Sequence, residues 1–201
     1  MTAPGEAPAP APGAAPGPAP DADTALFRHV LGHFCTGVVV LAGLGPSGPL
    51  GLTCQSFSSL SLEPPLVMFG VSRTSASWPG IRQAGALCVN VLAADQEELS
   101  RRMARSGTDK FAGVDWEPTP LGAPRLCGAL AWLECTLHAE YPGGDHTLVV
   151  AEVQRLAAAP GTAPLLYYRG GYAGLNSPRR PELRMRQGDA GSPHGRAGGT
   201  R

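Results

Sequence analysis

The sequence predicts a mainly β protein, an antiparallel barrel with a few peripheral helices. Three observations predict it. About seven short apolar or alternating runs are joined mostly by tight turns; only two or three segments carry a helical period; and strands and helices do not alternate as a parallel sheet requires. The expected folding unit is residues 24–176, large enough to bury roughly 70% of its unfolded surface without a disulfide or a metal. Residues 1–23 are expected to form a disordered tail, since the first twenty contain 7 Ala, 7 Pro and 3 Gly and offer almost nothing to a core. Residues 177–201 are expected to form a second one, with six Arg against Glu182 and Asp189 among Gly and Pro.

Taken in order, Thr24 caps a short helix whose apolar stripe is Leu26, Phe27, Val30, Leu31 and Phe34, and Thr36 and Gly37 break it. The β-branched run 38–42 and the run 49–53 make a hairpin about the turn residues 44–48. Residues 66–71 and 87–92 read as short buried strands, with a turn and a short helix ended by Gly85 between them. Asp95 opens the clearest helix, 95–105, with Glu97 and Glu98 in its first turn, Arg101, Arg102 and Arg105 near its end, and Leu99 and Met103 four apart. Residues 106–125 read as a loop anchored by Phe111 and Trp116. Two longer strands, 129–141 and 146–158, alternate polar with apolar residues about the turn 142–145, and a last strand, 164–169, ends at Gly170 and Gly171.

Charge and composition remove several function classes. The chain has a net charge of zero, and residues 24–176 carry ten Lys or Arg against eleven Asp or Glu, so there is no basic field for nucleic acid. No run reaches the roughly 18 to 20 apolar residues of a membrane helix, and no signal-like segment opens the chain, so a cytoplasmic protein is expected. Five cysteines without a C-x-x-C pair argue against a disulfide framework and a zinc cluster, with Cys88 and Cys135 expected to be buried small hydrophobes. His29 and His33 have the spacing of a helical metal pair, but no neighbouring carboxylate or third histidine completes it. No nucleotide-binding glycine motif, nucleophile triad or close carboxylate pair is visible.

The chemistry concentrates in four places. Thr53, Gln55, Ser56, Ser58, Ser59 and Ser61 crowd into nine residues between two apolar strands. They read either as a Ser-rich connection or as hydroxyl and amide donors for a phosphate or a hydrogen-bonding ring. Ser72, Arg73, Thr74, Ser75 and Ser77 precede a helix, an arrangement that serves as a cap or as an anion cradle. His146, beside Asp145 in a tight turn, is a turn residue or a site residue. Arg169, Gly170, Gly171 and Tyr172 end a strand with a cation, two flexible residues and an aromatic suited to a planar ring or a phosphate.

These segments together, in order, resemble the short-chain flavin reductase family, the NAD(P)H:flavin oxidoreductase components of two-component flavin monooxygenases. The resemblance rests on Phe34-Cys35-Thr36-Gly37-Val38, on GLTCQSFSSLSLEPPLV (51–67), on the Ser75-Ala76-Ser77-Trp78 turn and on LCVNVLAADQEELS (87–100). It is completed by Gly143-Gly144-Asp145-His146 followed eighteen residues later by PLLYYRGGY, and it covers about residues 26–175.

The resemblance implies a split β-barrel that binds FMN or FAD, in a homodimer with its sites near the subunit interface. It implies that Thr53, Cys54, Gln55, Ser56, Phe57 and Ser59 line the isoalloxazine and ribityl chain. Arg73, Thr74, Ser75 and Ser77 would meet the phosphate. His146, as the candidate catalytic residue, and Arg169, Gly170, Gly171 and Tyr172 would lie where NADH or NADPH docks. Hydride passes between the two cofactors themselves, and the protein supplies their stacking. A separate monooxygenase would receive the reduced flavin by diffusion; a non-catalytic flavin-binding or electron-carrier protein is the competing reading. Two departures stand out: Cys54-Gln55 replaces the more frequent Ala-Asn, and Met103 replaces an aromatic, which leaves FMN against FAD open.

Overall fold

A computed structural model describes residues 24–107, 109–159 and 163–175. Both expected tails lie outside the described residues. Helix α1 (Thr24–Leu31) is followed by strands β1 (Thr36–Gly37), β2 (Val39–Gly45), β3 (Gly48–Cys54), β4 (Ser58–Leu62) and β5 (Pro65–Ser72). Helix α2 (Trp78–Ala84), strand β6 (Ala86–Val91) and helix α3 (Glu97–Ala104) come next, then β7 (Trp116–Pro118) and β8 (Pro124–Leu126). The long strands β9 (Ala131–Gly143) and β10 (His146–Ala158) precede β11 (Leu166–Tyr168) and β12 (Gly171–Ala173).

The protein is mainly β. Seven strands form one antiparallel sheet in the order β3-β2-β6-β9-β10-β5-β4, while β1, β11 and β12 form a small second sheet and β7 and β8 a hairpin. Among the described residues no ladder joins β3 to β4, so these are the edges of the large sheet. β9 and β10 pair over their full length with two irregularities, at Val150/Ala151 and Val153/Arg155, where an extra residue bends the ribbon.

The period of two along β2 divides the core. Val39 and Leu41 face a cluster with Phe69, Val71, Leu87, Val89 and Val149. Val38, Val40 and Ala42 face a second cluster with Leu92, Met103, Phe111 and Leu126, under α3 and the β7–β8 hairpin. A strand covered on both faces reads as wholly apolar, as this run does. Two buried polar side chains pin the covering hairpin. Asn90 Nδ2 donates to the carbonyls of Val40, Cys88 and Pro124, and its Oδ1 accepts the Leu126 N–H at 2.8 Å. Glu134, fully buried, accepts the Leu121 N–H at 2.7 Å.

Several expectations need correction. The first helix stops at Leu31, short of Phe34, and its apolar residues are exposed, Phe27 by 59% and Phe34 beyond it by 76%. The Ser-rich stretch contains the edge strand β4, whose residues pair with β5 from Ser58↔Met68 to Leu62↔Pro65. Serine at an exposed edge carries no apolar alternation, so the strand is silent in sequence. Asp95 lies inside a 3₁₀ turn, Ala94–Gln96, and it is Gln96 Oε1 that accepts the Ala93 N–H at the entrance to α3. Residues 106–125 include β7 and the start of β8, and the last strand is two short strands about Arg169-Gly170. Gly85 ends α2 as expected, in the left-handed region at φ 76°.

Candidate functional site

A cavity of about 790 Å³ opens between the end of β3, the end of β5 with its following turn, the last turns of α3, and β11–β12. Its size falls in the roughly 300 to 1,000 Å³ typical of small-molecule sites. The β3–β4 connection brings Thr53, Cys54, Gln55 and Ser56 to one wall, the β5–α2 turn brings Thr74, Ser75 and Ser77 to another, and His146 and Tyr172 close the sides. These nine candidate residues, scattered over 120 positions of sequence, thus meet around one space.

Six others do not line it. Phe57 packs against the first core cluster, and Ser59 sits in β4 opposite Val67. The N–H of Arg73 donates to the Asp145 carbonyl at 3.0 Å, tying the two turns together. Arg169 takes a positive φ of 50°, starts the turn that contains Gly170 and leads into β12 at Gly171, and donates from Nη2 to His33 Nε2 at 2.6 Å. Since His33 Nδ1 donates to the His29 carbonyl at 2.9 Å, both of its ring nitrogens are engaged within the fold and none is left for a metal.

Many wall hydroxyls are occupied in shaping the wall. Thr53 Oγ1 donates to the Ser100 carbonyl at 2.6 Å. Ser56 Oγ accepts the Gly70 N–H at 2.9 Å and donates to the Gly70 carbonyl at 3.1 Å, taking the place of a strand partner before β4 begins. Ser75 Oγ accepts the Trp78 N–H and Ser72 bonds Thr74, so the β5–α2 turn is internally braced. Tyr172 is held on three sides. Its hydroxyl bonds Ser100 Oγ at 2.8 Å, Tyr167 meets it edge-on at 5.3 Å, and the Arg101 guanidinium lies 4.7 Å over its ring.

The cations of the cavity are ones the sequence reading did not select. Lys110 Nζ donates to the carbonyls of Gly51 and Met103 and to Ser77 Oγ, all at 3.0–3.1 Å. Burial lowers its pKa below the ordinary lysine value. The approach is possible because residue 51 is glycine: a Cβ there would stand 2.8 Å from Met103 Sδ and 3.0 Å from the Phe111 ring. Arg101 and Arg105 join the wall from α3 and its C-terminal end. The signal available was that Lys110 is the chain's single lysine, set in a loop, and that Arg101 and Arg105 lie four apart on a helix. Among the described residues no Asp or Glu lines the cavity.

Two further groups have altered acidity. Burial raises the pKa of the Cys54 thiol, which sits 3.3 Å from Ser56 Oγ. A hydrogen bond from His146 Nδ1 at 2.8 Å lowers the Asp145 carboxyl and fixes the ring's orientation at the cavity edge. Such a wall supplies positive charge, hydroxyls and an aromatic face, and the carboxylates bonded to its residues, Glu97 and Asp145, are paired with Arg101 and His146.

Comparison with known proteins agrees with this chemistry. The model of the family described as flavin reductase like domain matches residues 31–176. The reductase subunit HsaB of a flavin-dependent monooxygenase from Rhodococcus jostii (strain RHA1) is 46% identical over 153 residues, 76% of this chain and 78% of that protein. SmoA of Agrobacterium fabrum (strain C58 / ATCC 33970), named an FMN reductase (NADH), is 42% identical over 146 residues, 73% of this chain and 83% of that one. Among solved structures, the NADH:FAD oxidoreductase SgcE6 of Streptomyces globisporus C-1027, in complex with NAD and FAD fragments, superposes with a TM-score of 0.70 at 37% identity. It covers 81% of this chain and 94% of its own.

Proposed function

The chain belongs to the flavin reductase-like family, and from that premise we propose that it is an NAD(P)H:flavin oxidoreductase that reduces FMN or FAD and hands the reduced flavin to a separate monooxygenase. The observation that carries this reading is the charge of the cavity wall. Among the described residues its lining carries Lys110, Arg101 and Arg105 and no Asp or Glu, with Glu97 paired to Arg101, in a chain of zero net charge. A phosphate-bearing ligand is what such a wall recruits.

The residues divide the work. Thr74, Ser75 and Ser77, with Lys110 against Ser77, present the phosphate end. Thr53, Cys54, Gln55 and Ser56 form the wall along which the flavin ring would lie, made stiff by the bonds of Thr53 to α3 and of Ser56 to Gly70. Tyr172, locked by Ser100 and Arg101, and His146, oriented by Asp145, flank the space left for the nicotinamide. The bound nucleotides supply the hydride chemistry, and the protein's part is to orient them and keep water out. His146 needs no proton-transfer role for this; it is a contact residue for the nucleotide.

The reading extends to assembly and place. The sheet is taken as the split barrel of the family, with β3 and β5 in contact across its gap. A homodimer is supported by the exposed apolar stripe of α1, since isolated molecules seldom leave so many large apolar side chains at the surface. A cytoplasmic location suits the five cysteines, all free. No helix among the described residues is long and apolar enough to cross a membrane. The folding unit is taken as residues 24–176.

The test is the loss of the near-ultraviolet absorbance of NADH or NADPH on adding the purified protein with FMN, FAD or neither. Oxidation that requires added flavin is the expected result. Absence of oxidation with every pair, although flavin binds, would move the protein to the carrier class.

A further inference from the structure

The three cations of the cavity are of two kinds. Lys110 belongs to the inner wall: it is partly buried, and its ammonium is held by Gly51, Met103 and Ser77 beside the β5–α2 turn. Arg101 and Arg105 belong to the rim, both exposed and four residues apart, Arg101 on α3 and Arg105 at its C-cap, and both line the cavity. Arg102, between them, turns the other way and donates from Nη1 to the Ala112 carbonyl, beside a separate small cavity. The rim cations are thus placed by α3 and its C-terminal end and are not a general excess of arginine.

Arg101 is also prepared to act. Nε and Nη2 both donate to Glu97 Oε1, at 2.9 and 2.6 Å, and the guanidinium plane is fixed over Tyr172. Nη1 makes no hydrogen bond among the described residues. Arg105 makes no side-chain hydrogen bond or ion pair among them either. An arginine held in one orientation spends less rotamer entropy when a phosphate arrives than a free one does.

A flavin mononucleotide carries one phosphate, and the inner turn with Lys110 accounts for it. We infer that Arg101 and Arg105 form a second anion subsite, at the rim, that takes the diphosphate bridge of the nicotinamide dinucleotide or the second, adenylate-side phosphate of the bridge of FAD. This rests on the function proposed above. The bridge belongs to the nicotinamide dinucleotide or to FAD; both present the same chemistry.

The experiment compares the full chain with Arg105→Gln and with Arg101→Gln/Arg105→Gln. With FMN as acceptor, KM is measured for NADH and for reduced nicotinamide mononucleotide, which has no diphosphate; FAD and FMN affinities are measured by quenching of flavin fluorescence. If the bridge is that of the nicotinamide dinucleotide, the preference for NADH over the mononucleotide falls by about tenfold or more, the loss expected for charge-assisted hydrogen bonds. If the bridge is that of FAD, the preference for FAD over FMN falls instead. If neither preference moves in either variant, the subsite does not exist. Arg105→Gln removes no side-chain hydrogen bond or ion pair among the described residues and keeps the test usable if the double variant folds poorly. A wild-type chain inactive with every flavin would defeat the reductase reading, while the FAD to FMN ratio would still judge the subsite.

Discussion

Thr53 and Ser100 are joined by a 2.6 Å hydrogen bond from the threonine hydroxyl to the serine carbonyl, across 47 positions of sequence. The bond fastens α3 to the end of β3, and α3 carries Arg101 and the Ser100 hydroxyl that holds Tyr172, with Arg105 at its C-cap. A residue expected to touch the ligand therefore also sets the shape of the cavity. Thr53→Val, nearly the same size, should cost about 1 kcal/mol of stability and weaken flavin binding, whereas Thr53→Ser should do neither. Urea unfolding with flavin titration measures both, and a valine variant as stable as wild type would show the bond to be idle.

Lys110→Met should weaken flavin binding by roughly tenfold, since it removes a charge-assisted contact from the phosphate end. It should also change the alkaline behaviour. Because burial lowers the Lys110 pKa in the fold, the unfolded chain binds more protons in the window just below 10.5, so wild-type stability gains there as pH rises. The methionine variant lacks that gain. Parallel stability profiles for the two proteins over this window would rule out the effect.

Of the five thiols, Cys35 and Cys127 are exposed and Cys54, Cys88 and Cys135 are buried. Burial pushes Cys88 and Cys135 up to about 12 and raises Cys54 as well. A thiol-reactive dye at mildly alkaline pH should label two cysteines quickly and the other three only on unfolding. Rapid labelling of Cys54 in the native protein would mean that the cavity wall opens.

Asn90→Leu should cost about 3 kcal/mol or more, because it leaves the Leu126 N–H and the Val40 and Pro124 carbonyls without their side-chain partner in a buried place. Chemical denaturation followed by tryptophan fluorescence would measure it. A loss under 1 kcal/mol would show that the β7–β8 hairpin re-seats without this staple.

The Asp145 carboxyl, held below its ordinary 3.8 by the His146 ring, should return upward in His146→Ala, and a carbon-detected NMR titration reads this directly. The sign for stability follows: the pair's contribution is present above 3.8 and is lost as pH falls through the lowered value. An unchanged Asp145 titration in the variant would mean that the contact does not persist in solution.

Much of the fold was readable because short-range chemistry dictates it. The apolar run of β2, the alternation of β9 and β10 and the Gly85 stop of α2 each follow from local sequence and each is present. β4 was hidden because serine at an exposed edge carries no pattern, and the small β7–β8 hairpin because three-residue strands fall below any periodic signal. Within the cavity, the residues found from sequence were those grouped in polar clusters. Lys110 was overlooked because its partners, Gly51, Ser77 and Met103, are distant in the chain.

The sequence by itself determined the mainly β class, the order of the motifs and the family, since these depend on residue type, spacing and turn chemistry along one dimension. Only the tertiary structure decided which charges share a space. It turned Arg101 toward the cavity and Arg102 away from it, engaged Arg169 with His33, and set the one lysine against the serine of a distant turn. Sheet order and helix docking make those choices by burying apolar surface at sites far from the charges themselves, and no local pattern records the result.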